Sequence, residues 1–174
     1  SLDDAELRLL GRPHNAAAAV RTVELAHAAG FENINLDLMF GLPDQDSAAA
    51  RADLESALAL QPEHLSWYQL TLEPNTRFHA DPPVLPDEDE IGTMQTLGQT
   101  VFASHGYTQY EVSAFSRAGR RCRHNLNYWR FGDYLGVGAG AHGKLTLADG
   151  PVVLRRARTR HPKRYLQGPR LAEE

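Results

Sequence analysis

Cysteine is nearly absent from this chain: Cys122 is the only one in 174 residues. No intramolecular disulfide is possible, which fits a reducing, cytoplasmic setting. A structural zinc site is not supported either, because Cys122 and His124 are too few ligands at the wrong spacing. Long apolar runs are missing too. None approaches the roughly 18 residues that a membrane helix needs, and the opening residues do not have the pattern of a secretory signal. Basic charge is not in excess. The formal charge of −4 gives no global case for nucleic acid. Ser66, Ser104 and Ser113 lack a nucleophile elbow, and there is no internal repeat or low-complexity linker. An initiator methionine is lacking as well. Ser1 opens into a helical pattern and Leu171–Glu174 reads as the start of another helix, so the expectation is an internal piece of a longer protein.

What is present is an ordinary globular composition, 42% hydrophobic and 23% charged, with enough residues for a domain with a core. The most informative stretch is Asn33 to Pro43, Asn-Ile-Asn-Leu-Asp-Leu-Met-Phe-Gly-Leu-Pro. Strand side chains alternate with period two. Ile34, Leu36, Leu38 and Phe40 therefore share one face, and Asn35, Asp37 and Met39 the other. Gly41 and Pro43 end the run. Asp37 is then a carboxylate near the carboxyl end of an apolar strand. Burying it bare is costly, so a partner or ligand is expected, and ligands of parallel α/β folds bind at strand carboxyl ends.

Around this strand, elements alternate. A short helix over residues 2–10, with Ser1 and Asp4 at its start, is broken by Gly11-Arg12-Pro13-His14. Asn15 caps a second helix that Gly30 stops. A third runs from Ser47 to Leu60, before Pro62. His64 to Leu72 is a strand, and residues 73–86 a proline-rich loop. Asp87 and Glu90 form a capping-box pattern for a long helix to Ser104. Tyr107 to Val112 is a strand again. Alternation with short connections predicts α/β with a parallel sheet. Three strands cannot close a barrel. After residue 115 the pattern changes to a basic-aromatic segment (116–134), a glycine-rich strand end (134–143), and strands flanking Asp149-Gly150, a hairpin signal.

The candidate residues carry competing readings. Asp37 is either a carboxylate paired to hold the strand end or an acceptor for nucleoside hydroxyl or amine groups. Arg12 is a solvated loop arginine or a bidentate clamp for carboxylate or phosphate. Between Arg120 and Arg130, basic and aromatic residues interleave. That composition suits phosphate or a flat anionic ligand, and equally a surface loop whose aromatics pack inward. His124 there has the chemistry of an axial iron ligand. Gly136-Val-Gly-Ala-Gly140 is weak as a dinucleotide fingerprint. Its glycines fit a close approach of backbone to a ligand or strand, and His142 reads as a core histidine. Cys122 among arginines reads as incidental.

Three motifs in order, Asn35-Leu-Asp-Leu-Met-Phe-Gly-Leu-Pro43, His124-Asn-Leu-Asn-Tyr-Trp129 and Gly136-Val-Gly-Ala-Gly-Ala-His142, make the chain resemble the radical S-adenosylmethionine (SAM) family of oxygen-independent coproporphyrinogen III oxidases. Within it, the haem chaperone branch is most similar. The resemblance runs from Ser1 to about Leu166. It implies the C-terminal half of a partial (β/α)6 TIM-like barrel with an added β-hairpin: residues 1–115 as the barrel half, and 116–174 as the basic-aromatic segment, glycine-rich strand, hairpin and start of a C-terminal region. It implies SAM contacts at Arg12, Asp37, Met39 and Thr71, and a haem role for His124, Tyr128 and Trp129. Haem or porphyrin and a haem acceptor protein would be the partners. The alternative within the family is the oxidase, which converts coproporphyrinogen propionates to vinyl groups.

Two family features are missing from these residues. The Cys-x3-Cys-x2-Cys loop that holds a [4Fe-4S] cluster is not here, nor is the Gly-Gly-Thr segment for the SAM amino group. Cluster thiolates are obligatory for that chemistry. This piece is expected neither to hold the cluster nor to cleave SAM, and no catalytic residue is expected in it.

Overall fold

The computed structural model describes residues 1–147 and 152–168. The Asp149-Gly150 turn and the helix start expected at 171–174 lie outside the described residues. The chain divides into two compact units, Ser1–Cys122 and Arg123–Glu174.

The first unit runs α1 (Asp4–Leu9), α2 (Ala16–Ala28), β1 (Asn35–Phe40), α3 (Ser47–Ala59), β2 (His64–Gln69), α4 (Arg77–Ala80), α5 (Glu88–Ser104), β3 (Thr108–Glu111) and β4 (Ala114–Ser116). Local signals account for most boundaries. Asp3, rather than Ser1 or Asp4, caps α1, accepting from the amides of Ala5 and Glu6. Asn15 caps α2 through the amide of Ala18. Asp87 caps α5 by accepting from the Glu90 amide at 2.8 Å. The reciprocal half of that capping box goes elsewhere. Glu90 accepts from the amide of Ser47 at 2.6 Å and its hydroxyl at 2.7 Å. It thereby satisfies an orphan donor at the start of α3 and joins two helices.

The strands form one sheet in the order β1-β2-β4-β3. β1 and β2 are parallel, with Asn35 beside His64, Asp37 beside Ser66 and Met39 beside Tyr68. The all-parallel expectation is corrected at β4. The chain turns back after a bulge in β3, and β4 inserts antiparallel between β2 and β3. β3 keeps the direction of β1 and β2 but is displaced one place outward. A three-residue strand has no periodicity of its own to read. Ala114, Phe115 and Ser116 are nevertheless all buried, so pairing and packing define it.

One face of the sheet carries the core. Leu38, Phe40, Leu65, Trp67 and Phe115 pack against Leu54 and Leu58 of α3 and Met94, Val101 and Phe102 of α5. Phe102 stacks on Phe115 with centroids 3.7 Å apart and meets Trp67 and Tyr107 edge-on. Gly98 of α5 is required by this packing, because a Cβ there would collide with the Trp67 ring.

The second unit contains α6 (Arg123–Trp129), an antiparallel hairpin of β5 (His142–Thr146) and β6 (Val153–Ala157), and α7 (Pro162–Gln167). Among the described residues no helix is long and apolar enough to cross a membrane.

Candidate functional site

The other face of the first unit's sheet carries the site. Alternation puts Asn35, Asp37 and Met39 on it from β1, and the parallel register sets His64, Ser66 and Tyr68 alongside. The α1–α2 loop lies nearby. The Arg12 amide donates to the Leu7 carbonyl at 2.9 Å. Asp4 accepts from the Ala16 amide at 2.8 Å, tying the start of α1 to the start of α2. Below α1, Gln45 donates to Glu6 at 3.0 Å. That anchors the helix to the turn that follows β1, and burial raises the Glu6 carboxyl above its usual range.

This framework makes two adjoining clefts. The first, of about 320 Å³, is lined by Arg12, His14, Asn35, Asp37, Met39 and Tyr68, with Leu7, Leu10 and Val23 as apolar walls. The second, of about 440 Å³, is lined by Arg12, Met39, Tyr68, Thr71, Glu73, Arg77 and Phe78. Leu10, Arg12, Met39 and Tyr68 belong to both. All four residues expected to meet SAM line these clefts, Arg12 and Met39 both of them, Asp37 the first and Thr71 the second. Thr71 lies just beyond β2, donating to Glu73 at 2.9 Å.

Asp37 differs from expectation in one respect. It is exposed on the open face, not buried within the strand, so no desolvation cost demands a partner. It accepts from Asn35 Nδ2 at 2.8 Å. Sequence reasoning assigned no role to Tyr68, Asn35 or His64. Alternation places Asn35 beside Asp37, but His64 and Tyr68 enter through strand register, a long-range property.

In the second unit, His124 and Tyr128 are four residues apart on α6, one turn along the same face, with ring centroids 6.0 Å apart. Tyr128 stacks on Tyr134 at 5.0 Å, and their hydroxyls are 3.0 Å apart. Trp129 lies about 100° further round the helix and is half exposed. The segment is thus helical where a loop was the competing reading. Its end is fixed by buried Lys144, whose Nζ donates to the Phe131 carbonyl at 2.7 Å and to Asp133 at 3.1 Å and lies over the Phe131 ring. Phe131 is held at φ 57°. Asp133 also accepts from the amide and hydroxyl of Thr146, and these bonds hold its carboxyl below the usual range. The glycine run serves backbone packing, since a Cβ on Gly136 would strike the His142 carbonyl. His142, expected in a core, is exposed on β5. The described residues hold no cluster of three or more histidine, cysteine or carboxylate side chains suited to a metal.

No family model matches the chain. Its likeness to a solved structure fixes the class of fold. The chain superposes on the structure titled "Coproporphyrinogen III oxidase (HemN) from Escherichia coli is a Radical SAM enzyme" with a TM-score of 0.73 over 97% of this chain and 42% of that one, at 19% identity. The fold is therefore mixed α/β of the radical SAM type. In sequence the similarity is far higher to the haem chaperone HemW. It is 52% over all 174 residues for the Haemophilus influenzae protein and 51% over 168 residues for that of Escherichia coli. The mouse protein "Radical S-adenosyl methionine domain-containing protein 1, mitochondrial" is 45% identical over 148 residues. The resemblance to the coproporphyrinogen oxidase-like radical SAM proteins, and among them to HemW, holds along the whole chain. The chain spans less than half the length of these relatives, 45% and 44% of the two bacterial ones.

Proposed function

We propose that these residues are part of a haem chaperone, a cytoplasmic protein that binds haem and hands it to an acceptor protein. In this reading residues 1–115 are the second half of a partial (β/α)6 radical SAM barrel. Residues 116–174 supply the haem-binding segment, the hairpin and the start of a further region. The observation that carries it is the 52% identity along the entire chain to a protein named haem chaperone, against 19% to the structurally similar oxidase.

SAM suits the paired clefts. Asp37 offers an exposed carboxylate acceptor for ribose hydroxyls, Met39 and Tyr68 offer apolar and aromatic surface for adenine, and Arg12 offers a fork for the carboxylate. Thr71 adds a hydroxyl at the second cleft. A [4Fe-4S] cluster does not fit the residues present, because it needs several thiolates and the chain has one cysteine. Its ligands would come from outside this chain. Haem is the cargo. In the second unit His124 supplies an exposed imidazole, and Tyr128 and Trp129, 53% and 49% exposed, supply aromatic faces. Arginines such as Arg123 and Arg130 are available to the propionates.

The full-length protein, assayed anaerobically with coproporphyrinogen and separately with haem, tests this function. The expected result is haem binding with no decarboxylated porphyrinogen. Turnover of coproporphyrinogen would replace the chaperone with the oxidase.

A further inference from the structure

Beneath Asp37 runs a chain of hydrogen bonds that the function above does not use. His64 of β2 is only 2% exposed. Its Nδ1 lies 2.6 Å from Asn35 Oδ1, and its Nε2 contacts the Tyr110 hydroxyl. Asn35 also accepts from the Ser66 hydroxyl at 3.1 Å and donates through Nδ2 to Asp37 Oδ1 at 2.8 Å. At the far end the Tyr110 oxygen accepts from the Cys122 amide at 3.1 Å.

The direction of every link follows from donor and acceptor chemistry. An ionised carboxylate only accepts, so Asn35 must turn its NH2 to Asp37 and its oxygen to His64. That oxygen also only accepts, so the proton of neutral His64 sits on Nδ1. Nε2 then carries a lone pair and accepts from the Tyr110 hydroxyl. Burial lowers the His64 pKa, opposed in part by the Asp37 charge, consistent with a neutral ring. With the proton on Nε2 instead, two acceptors would face each other at 2.6 Å. Relieving that clash means flipping the Asn35 amide, which would aim its oxygen at Asp37.

We propose that His64 is a positioning residue for the ligand cleft. As the Nδ1-protonated tautomer it locks the Asn35 amide, and Asn35 holds Asp37 Oδ1 so that Oδ2 is presented to the hydroxyl or amine donors of a nucleoside ligand. This rests on the reading of Asp37 as the nucleoside contact. Nothing in a sequence period reports it, since Asn35 and His64 are 29 residues apart and meet through register.

The test uses the full-length protein with ¹⁵N-labelled histidine and SAM as the ligand. Long-range ¹H–¹⁵N correlation spectra read the His64 tautomer, and calorimetry reads SAM affinity. The expected spectrum shows the proton on Nδ1. Asn35→Leu and His64→Leu weaken SAM about five- to tenfold, the scale of one lost orienting hydrogen bond. His64→Asn, whose amide donates from the Nδ1 position, restores affinity to within about twofold of wild type. An Nε2-protonated His64 would overturn the proposal. So would equal losses in His64→Asn and His64→Leu, or wild-type affinity in Asn35→Leu alongside a clear loss in Asp37→Asn. If Asp37→Asn itself binds SAM normally, the reading of Asp37 fails first. If His64→Leu does not fold, the wild-type tautomer and the exposed Asn35→Leu variant decide.

Discussion

Asp37→Asn separates ligand recognition from folding. The substitution keeps the side chain's shape and removes its charge. Asp37 lies on the open face of β1 and is exposed, and its side chain bonds to a neighbour on the same strand. No core contact is lost, so stability should move by no more than about 0.5 kcal/mol. A ligand hydroxyl, by contrast, would lose a charge-assisted hydrogen bond, which is worth about 1.5–3 kcal/mol. That converts to roughly ten- to hundredfold weaker SAM binding. Met39→Ala is the companion variant, removing apolar surface from the wall shared by both clefts without touching charge. Calorimetric titration of SAM into the full-length protein and its Asp37→Asn form, with thermal melts of both, checks this. Equal affinities would refute the cleft as the SAM site. A loss of binding that tracks a lowered melting temperature would refute the separation of site from scaffold.

Three further outcomes follow from the packing and the charges. Phe102→Ala empties a nearly fully buried ring site that touches Trp67, Tyr107 and Phe115, and should cost about 3–5 kcal/mol in denaturant unfolding. A cost under ~1 kcal/mol would mean the core is not built as described. Lys144→Met removes the Phe131 carbonyl's side-chain donor and one of the bonds Asp133 accepts, leaving Asp133 its two from Thr146. Loss of the buried Lys144 bond to the carbonyl should cost about 1–2 kcal/mol, while Lys144→Arg keeps part of that stability. His64 sets a pH dependence. Its pKa is lowered on folding by burial, so the unfolded chain takes up that proton first as pH falls below its ordinary value of about 6.5. Stability is full above that value and declines below it. His64→Asn should flatten this part of the profile, and an unchanged slope would assign it to other groups.

Much of the fold was legible locally. Asn15, Asp87, Gly30 and Pro62 mark element ends by chemistry that acts over one turn, and the structure ends elements there. The two-residue period of β1 correctly sorted Asn35, Asp37 and Met39 from Leu38 and Phe40. What escaped is what pairing creates. β4 is three residues long and exists because β2 and β3 flank it. The helices α4 and α6 are too short to show a period, so a proline-rich loop and a basic-aromatic segment hid them. Glu90 is spaced for a capping box, but Ser47 of another helix takes its carboxylate. Asp37 looked costly because its strand is apolar, whereas the open face spares it desolvation. The Arg12–Asp37–Met39–Thr71 set came from family likeness. Only strand register could add Tyr68 and His64 to their surroundings.

The haem reading is tested most directly by titrating haem into the full-length protein and into a His124→Ala, Trp129→Ala double variant while following the Soret band. The account predicts a saturable Soret shift in the wild type and a clearly weaker, altered one in the variant, with thermal stability retained because both side chains are exposed on α6. Superimposable titrations would contradict it, because haem would then be held somewhere other than the His124–Trp129 helix.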